Sequence, residues 1–155
     1  MIYEKILGKV SDKEFSNMDI DYVDFDWHEI YKKLHKKTSR NKVDIALKLD
    51  DYVLSHGMRD GDVLGTEGNT VFVVNILPCE AIVIKAEAYL VPKVCYEIGN
   101  KHAALLYGES HEEFVTPYNE PTKLLMEKIG AKVEVKAVKL NFDHSISSTV
   151  SSHTH

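Results

Sequence analysis

Apolar and polar residues alternate in two early segments of the chain, 23–27 and 43–49. A period of two is typical of a β-strand with one face in solvent. A more continuous apolar run, 71–76, predicts a strand that is more deeply buried. Turn signals separate these segments, at Ser39-Arg40-Asn41, Arg59-Asp60-Gly61-Asp62 and Glu67-Gly68-Asn69. The pattern predicts that residues 1–76 form a small all-β domain.

The pattern changes near residue 77, where helical periodicity appears between short strands. The predicted elements are a strand at 80–85, a helix at 87–102, strands at 103–107 and 113–115, a helix at 119–130 and a strand at 133–137. This βαββαβ order is that of a ferredoxin-like domain, which we place at 77–142. A polar segment, 143–155, is predicted to be a flexible tail that contains histidines. The fold class is therefore predicted to be α+β.

Two details of the predicted helices can be read from single residues. Pro92 falls inside the first helix, where a proline removes a hydrogen bond and clashes with the preceding turn. Regular helix is therefore expected to begin near Tyr89 or to be kinked there. In the second helix, Leu124, Leu125 and Ile129 are expected on one face.

A stripe of apolar residues at helical spacing runs along the first helix, and His102 continues it. Its apolar members are Val91, Val94, Cys95 and Ile98. Such a stripe faces either a core or a partner. The spacing alone favours a buried or hydrogen-bonded His102 over a metal ligand. Two further histidines in the tail, His153 and His155, shift the balance toward metal binding.

Composition narrows the class of protein. The chain has 155 residues, a formal charge of -5, 44% hydrophobic and 28% charged residues. We expect a globular, cytoplasmic protein, because the start of the chain lacks the pattern of a signal peptide and no apolar run could span a membrane. The negative charge disfavours nucleic acid as a partner, and the basic cluster 32–37 is expected to be a solvated face. Cys79 and Cys95 form no C-x-x-C pair.

The sequence also lacks the motifs of common catalytic sites. It contains no G-x-S-x-G, no Gly-rich phosphate loop, no H-E-x-x-H and no recognisable pairing of Cys with His. Glu97 and Glu109 lie near His102 in the sequence, but a solvated helix face and loop explain them better than an acid and base pair. We therefore expect that the chain is not an enzyme.

The segment Tyr96-Glu97-Ile98-Gly99-Asn100-Lys101-His102-Ala103-Ala104-Leu105 resembles the E-type urease accessory proteins, the nickel metallochaperones of urease maturation. The resemblance extends to segments 2–8 and 59–64 and to the histidine-bearing tail. In that family the motif usually has arginine before the histidine, and here Lys101 replaces it. The resemblance implies that His102 is the nickel ligand of a homodimer, with the two copies meeting across the symmetry axis.

The resemblance carries further expectations. His153 and His155 would complete a Ni²⁺ site that could also accept Zn²⁺ or Cu²⁺. The partners would be the GTP-binding urease accessory protein and the urease apoprotein, and the N-terminal domain would serve in docking. The alternative is a non-catalytic interaction module or assembly chaperone whose metal binding is incidental. The remaining histidines, His28, His35, His56, His111 and His144, are expected to be structural or solvated, although His144 could join the tail ligands.

Overall fold

The computed structural model describes residues 2–147, so that His153 and His155 lie outside the described residues. The described chain falls into two compact units that divide between Leu77 and Pro78. Both are built mainly of β-sheet with few helices, and the α+β class is confirmed. None of the helices among residues 2–147 is long and apolar enough to cross a membrane.

The first unit contains two small sheets and one short helix. Its elements are β1 (Ile2–Tyr3), β2 (Gly8–Lys9), β3 (Asp19–Phe25), β4 (Leu34–Thr38), β5 (Asp44–Lys48), α1 (Tyr52–Ser55), β6 (Asp62–Glu67) and β7 (Thr70–Ile76). The strand orders are β1-β5-β4 and β2-β6-β7-β3. Strand β7 is buried over most of its length, as its continuous apolar run predicts. Part of the core of this unit is formed by Phe15, Val63, Val71 and Val73.

Two local features of the first unit differ from the sequence prediction. Trp27 leaves strand β3 and lies in a 3-10 turn, Trp27–Glu29. The backbone N–H of Asp26 donates to the Glu29 carboxylate at 3.0 Å, which stabilises that turn. In addition, α1 is helical in a region predicted to be all-β. The carboxylate of Asp50 accepts a hydrogen bond from the backbone N–H of Tyr52 at 3.2 Å at its start.

The second unit is a four-stranded antiparallel sheet with two helices. Its elements are β8 (Cys79–Lys85), α2 (Val91–Asn100), β9 (Leu106–Tyr107), β10 (Glu113–Pro117), α3 (Glu120–Lys128) and β11 (Lys132–Val138). The strand order is β11-β8-β10-β9. Val94 and Ile98 of α2 and Met126 of α3 share one core with residues of β8 and β10, so both helices cover the same face of the sheet.

The helix bounds follow from their end residues. A 3-10 turn, Ala88–Leu90, precedes α2, and Pro92 lies in the first turn of the helix, where proline is tolerated. The late start predicted from Pro92 is confirmed. Asn119 caps α3, and its side chain accepts from the N–H of Thr122 at 3.1 Å. The prediction that Leu124 shares a face with Leu125 and Ile129 is wrong: Leu125 and Ile129 pack against the core, whereas Leu124 is 55% exposed on the side opposite Thr122 and Met126.

The packed part of the second unit extends beyond the predicted boundary at residue 142. A 3-10 turn, Phe142–His144, follows β11, and Ser145 then pairs with Leu106 of β9. The N–H of Ile146 donates to the carbonyl of Leu105 at 2.9 Å, and its side chain packs against the core. Residues 143–147 therefore belong to the folded unit, because an apolar side chain and two strand contacts hold them there.

Candidate metal-binding site

The apolar stripe of α2 faces the core of its own unit. Val94 and Ile98 are fully buried, and Val91 and Cys95 are partly buried against the same cluster. Of the two alternatives that the sequence leaves open, a core and a partner surface, the structure supports the core. The sheet of the second unit needs an apolar helix face to cover it, and the stripe meets that need.

His102 lies beyond the helix and leaves the stripe. Helix α2 ends at Asn100, Lys101 is its C-cap, and His102 is exposed with a left-handed backbone, φ +56°. The N–H of His102 donates to the carbonyl of Gly99 at 3.0 Å, and that of Ala103 to the carbonyl of Ile98 at 3.4 Å. These two bonds form a Schellman motif, with His102 at the left-handed C′ position.

A left-handed C′ residue is usually glycine, because a side chain with a Cβ atom is strained there. Among the described residues only His102 and Lys42 combine a side chain with positive φ. The motif holds the backbone at His102 through two hydrogen bonds, while the imidazole remains in solvent. The imidazole is thus presented from a fixed point on the surface of the second unit. Strained residues of this kind cluster at functional sites.

We predict that His102→Gly raises the free energy of unfolding by about 1 kcal/mol, because glycine removes the left-handed strain. His102→Ala is the matched control, since it also deletes the imidazole but keeps the Cβ atom. Urea unfolding of the metal-free proteins, followed by circular dichroism, measures both. Equal stability of the two variants would contradict the strain at this position.

The histidines of the first unit have structural or solvated surroundings. His35 is buried, its ring nitrogen lies 2.8 Å from the carbonyl oxygen of Lys32, and its ring meets that of Phe25 edge-on at 5.2 Å. Burial lowers the pKa of His35. His56 stacks on Tyr52 with ring centroids 4.7 Å apart, and His28 is exposed. These positions agree with the roles expected from the sequence.

Few other groups of the described chain can act as ligands beside His102. Within residues 2–147, no three side chains of His, Cys, Asp or Glu lie in an arrangement that could hold a metal ion. His111 and His144 are exposed on the second unit. Burial raises the pKa of both thiols, Cys79 and Cys95, so they stay protonated near neutral pH and are poor ligands. Within residues 2–147 of one chain, His102 therefore has too few neighbouring ligands to complete a metal site.

Two exposed aromatic residues lie in α2 or just before it. Tyr96 is 66% exposed, and Tyr89, one 3-10 turn before the helix, is 75% exposed. Gly99 lies one turn after Tyr96, and a Cβ atom added to it would meet nothing within 4 Å. An exposed glycine inside a helix destabilises it by about 1 kcal/mol relative to alanine. Its presence here suits a surface that another backbone approaches closely.

Comparisons with known proteins extend these observations. The family model described as the UreE urease accessory protein, N-terminal domain, matches residues 3–77. A protein named urease accessory protein UreE from Helicobacter pylori (strain Shi470) is 43% identical over 142 residues, which cover 91% of this chain and 83% of that protein. A protein of the same name from Acetivibrio thermocellus is 36% identical over 141 residues, 90% of this chain and 89% of that protein.

These relatives are accessory proteins by name, and they match both units of the chain. The chain belongs to the UreE urease accessory protein family. The resemblance seen in the sequence motif is confirmed.

Proposed function

We propose that this chain is a cytoplasmic nickel metallochaperone, not itself catalytic, that carries Ni²⁺ for assembly of the urease active site. The observation that supports this best is the exposed imidazole of His102, held by a Schellman motif at a position where glycine is usual. Family membership supplies the link to urease maturation. The partners are the urease apoprotein and the GTP-binding accessory protein, and the first unit serves in docking to them.

The proposed ion lies between two copies of the chain. A two-fold axis presents the same surface twice, so one exposed His102 becomes a pair of imidazoles. Two nitrogens leave a divalent ion incompletely coordinated. His153 and His155, which lie outside the described residues, would supply further nitrogens. Imidazole ligands suit Ni²⁺, Zn²⁺ and Cu²⁺ and do not suit Mg²⁺ or Ca²⁺.

The outer face of α2 is the proposed contact between the two copies, in place of the buried stripe. Tyr96 offers an exposed aromatic surface, and tyrosine is enriched in interface cores. Gly99 allows close approach, because it has no side chain. His102 follows Gly99 by three residues, so contact at this face brings both copies of His102 near the axis.

Gly99→Arg is expected to dissociate the dimer without unfolding the chain. The added side chain meets open space within one chain but would occupy the proposed contact. Leu124→Arg is a matched control, because it adds the same charged side chain to an exposed position of the other helix. Sedimentation at micromolar concentration with nickel present should show dimers for the wild type and the control and a monomer for Gly99→Arg.

Two results of this experiment would contradict the model. A wild-type monomer under these conditions would overturn the symmetric site. A dimeric Gly99→Arg chain would show that the copies meet elsewhere.

Equilibrium dialysis against Ni²⁺ tests the proposed function itself. We expect the full chain to retain nickel at pH 7.5 and to release it as the pH falls toward 5.5, because imidazole binds metal only when neutral and its ordinary pKa is about 6.5. The control is a chain in which His102, His153 and His155 are all alanine. Equal nickel retention by the two chains would favour the interaction module, and an affinity that is flat with pH would indicate carboxylate ligands.

A further inference from the structure

A surface cavity of about 580 Å³ lies on the second unit, apart from the elements that present His102. Two segments line it. The first is the turn between β9 and β10, residues 107–111, and the second is the 3-10 turn after β11, residues 143–145. Each segment contributes one histidine, His111 and His144, and one carboxylate, Glu109 and Asp143.

Backbone pairing brings these two histidines to the same place. Leu106 pairs with Ser145 in antiparallel orientation, so that Tyr107 and His144 are the next residues opposite each other. The ring of Tyr107 lies 5.3 Å from the ring of His111, measured between centroids. Tyr107 therefore contacts the ring of His111 and lies opposite His144 in the backbone pairing. Because the chain positions of the pair are far apart, no local sequence motif marks them.

Both segments are braced by hydrogen bonds of their own. In the first, the N–H of Gly108 donates to the carbonyl of Glu113 at 2.7 Å. In the second, the N–H of His144 donates to the carbonyl of Asn141 at 3.0 Å, and the side-chain oxygen of Asn141 accepts from the N–H of Asp143 at 3.0 Å. The two histidines thus project from turns of defined geometry.

We propose that His111 and His144 form a second, labile site for a divalent transition metal ion. Imidazole nitrogen favours Ni²⁺, Zn²⁺ or Cu²⁺, and the neighbouring carboxylates add a favourable negative charge. No group of three possible ligands occurs within residues 2–147, so the protein supplies two nitrogens and water completes the coordination. An ion held by two protein ligands is weakly bound and exchanges quickly. This site uses neither His102 nor the tail histidines, and so it stands apart from the proposed carrier site.

Histidine NMR of the full-length chain, with Zn²⁺ as a diamagnetic probe, tests this inference. The imidazole ¹⁵N signals report coordination at each of the eight histidines separately. We expect the signals of His111 and His144 to shift together, over one range of Zn²⁺ concentration. In the variant His111→Asn, the His144 signal should need at least about tenfold more Zn²⁺, which corresponds to about 1.4 kcal/mol.

His28 is the internal reference, because it is an exposed histidine of the first unit. If His111 and His144 respond only where His28 responds, or if His144 responds unchanged in His111→Asn, the paired site is wrong. The His102 signal is read in the same titration. If the His102 signal shifts and the His111 and His144 signals do not, this inference is overturned and the carrier site is not. If the His111 and His144 signals shift and the His102 signal does not, only the carrier site is overturned.

Discussion

His102→Ala is expected to lower the nickel affinity of the dimer by at least about a hundredfold, or about 2.7 kcal/mol. One substitution removes both fixed imidazoles, because the symmetry of the dimer repeats it. In this variant only His153 and His155 remain of the proposed imidazole ligands. Isothermal titration with Ni²⁺ measures the affinity. In cells, urease activation should fail at limiting nickel.

The matched comparison is a chain that stops at Val150 and so lacks His153 and His155. The two copies of His102 would still bind the ion, and water would occupy the remaining coordination positions. We therefore expect weaker binding, faster loss of nickel to a chelator, and urease activation that added nickel restores. Should His102→Ala keep wild-type affinity while truncation abolishes binding, the principal site would be the tail, and His102 would have only a structural role.

Much of the fold could be predicted from periodicity, and the exceptions have local causes. The alternating and apolar runs predicted β3, β5 and β7, and Pro92 predicted the late start of α2. The turn at Trp27 and the helix α1 were missed, because hydrogen bonds that the Glu29 and Asp50 carboxylates accept from backbone N–H groups help to stabilise them. Such bonds leave no trace in the pattern of apolar residues.

His35 shows that a prediction from composition can miss a buried residue. The cluster 32–37 was expected to be a solvated face, and Lys33 and Lys37 do form ion pairs with Asp51 and Glu29 at 2.7 and 2.8 Å. The alternation of β4, however, turns His35 inward against Phe25. A run of like charges therefore masked the period of the strand.

The candidate site was only partly predictable for a different reason. His102 was found because it continues a helical stripe and matches a family motif, but the stripe faces the core. A core and a partner surface demand the same apolar spacing, so the sequence cannot separate them. The helix end was also concealed. The predicted helix, 87–102, runs two residues past the end of α2 at Asn100, because the left-handed residue that ends it is His102 and not a glycine.

Ile98→Asp separates these two roles of the stripe, and we expect it to destabilise the second unit by several kcal/mol. The side chain of Ile98 is fully buried in the core between α2 and the sheet, so the new carboxylate would have neither water nor an opposite charge. A typical domain is stable by only about 5–15 kcal/mol, and this loss is a large share of that. Urea unfolding followed by circular dichroism measures it.

Leu124→Asp is the matched control for Ile98→Asp, because leucine and isoleucine are isomers and Leu124 is 55% exposed on α3. Exposed substitutions usually change stability by no more than about 0.5 kcal/mol. An Ile98→Asp chain as stable as this control, but monomeric in sedimentation, would mean that the stripe is the contact between copies after all. If Ile98→Asp loses stability and Leu124→Asp does not, the stripe belongs to the core. The outer face of α2, with Tyr96 and Gly99, then remains as the proposed contact with the second copy.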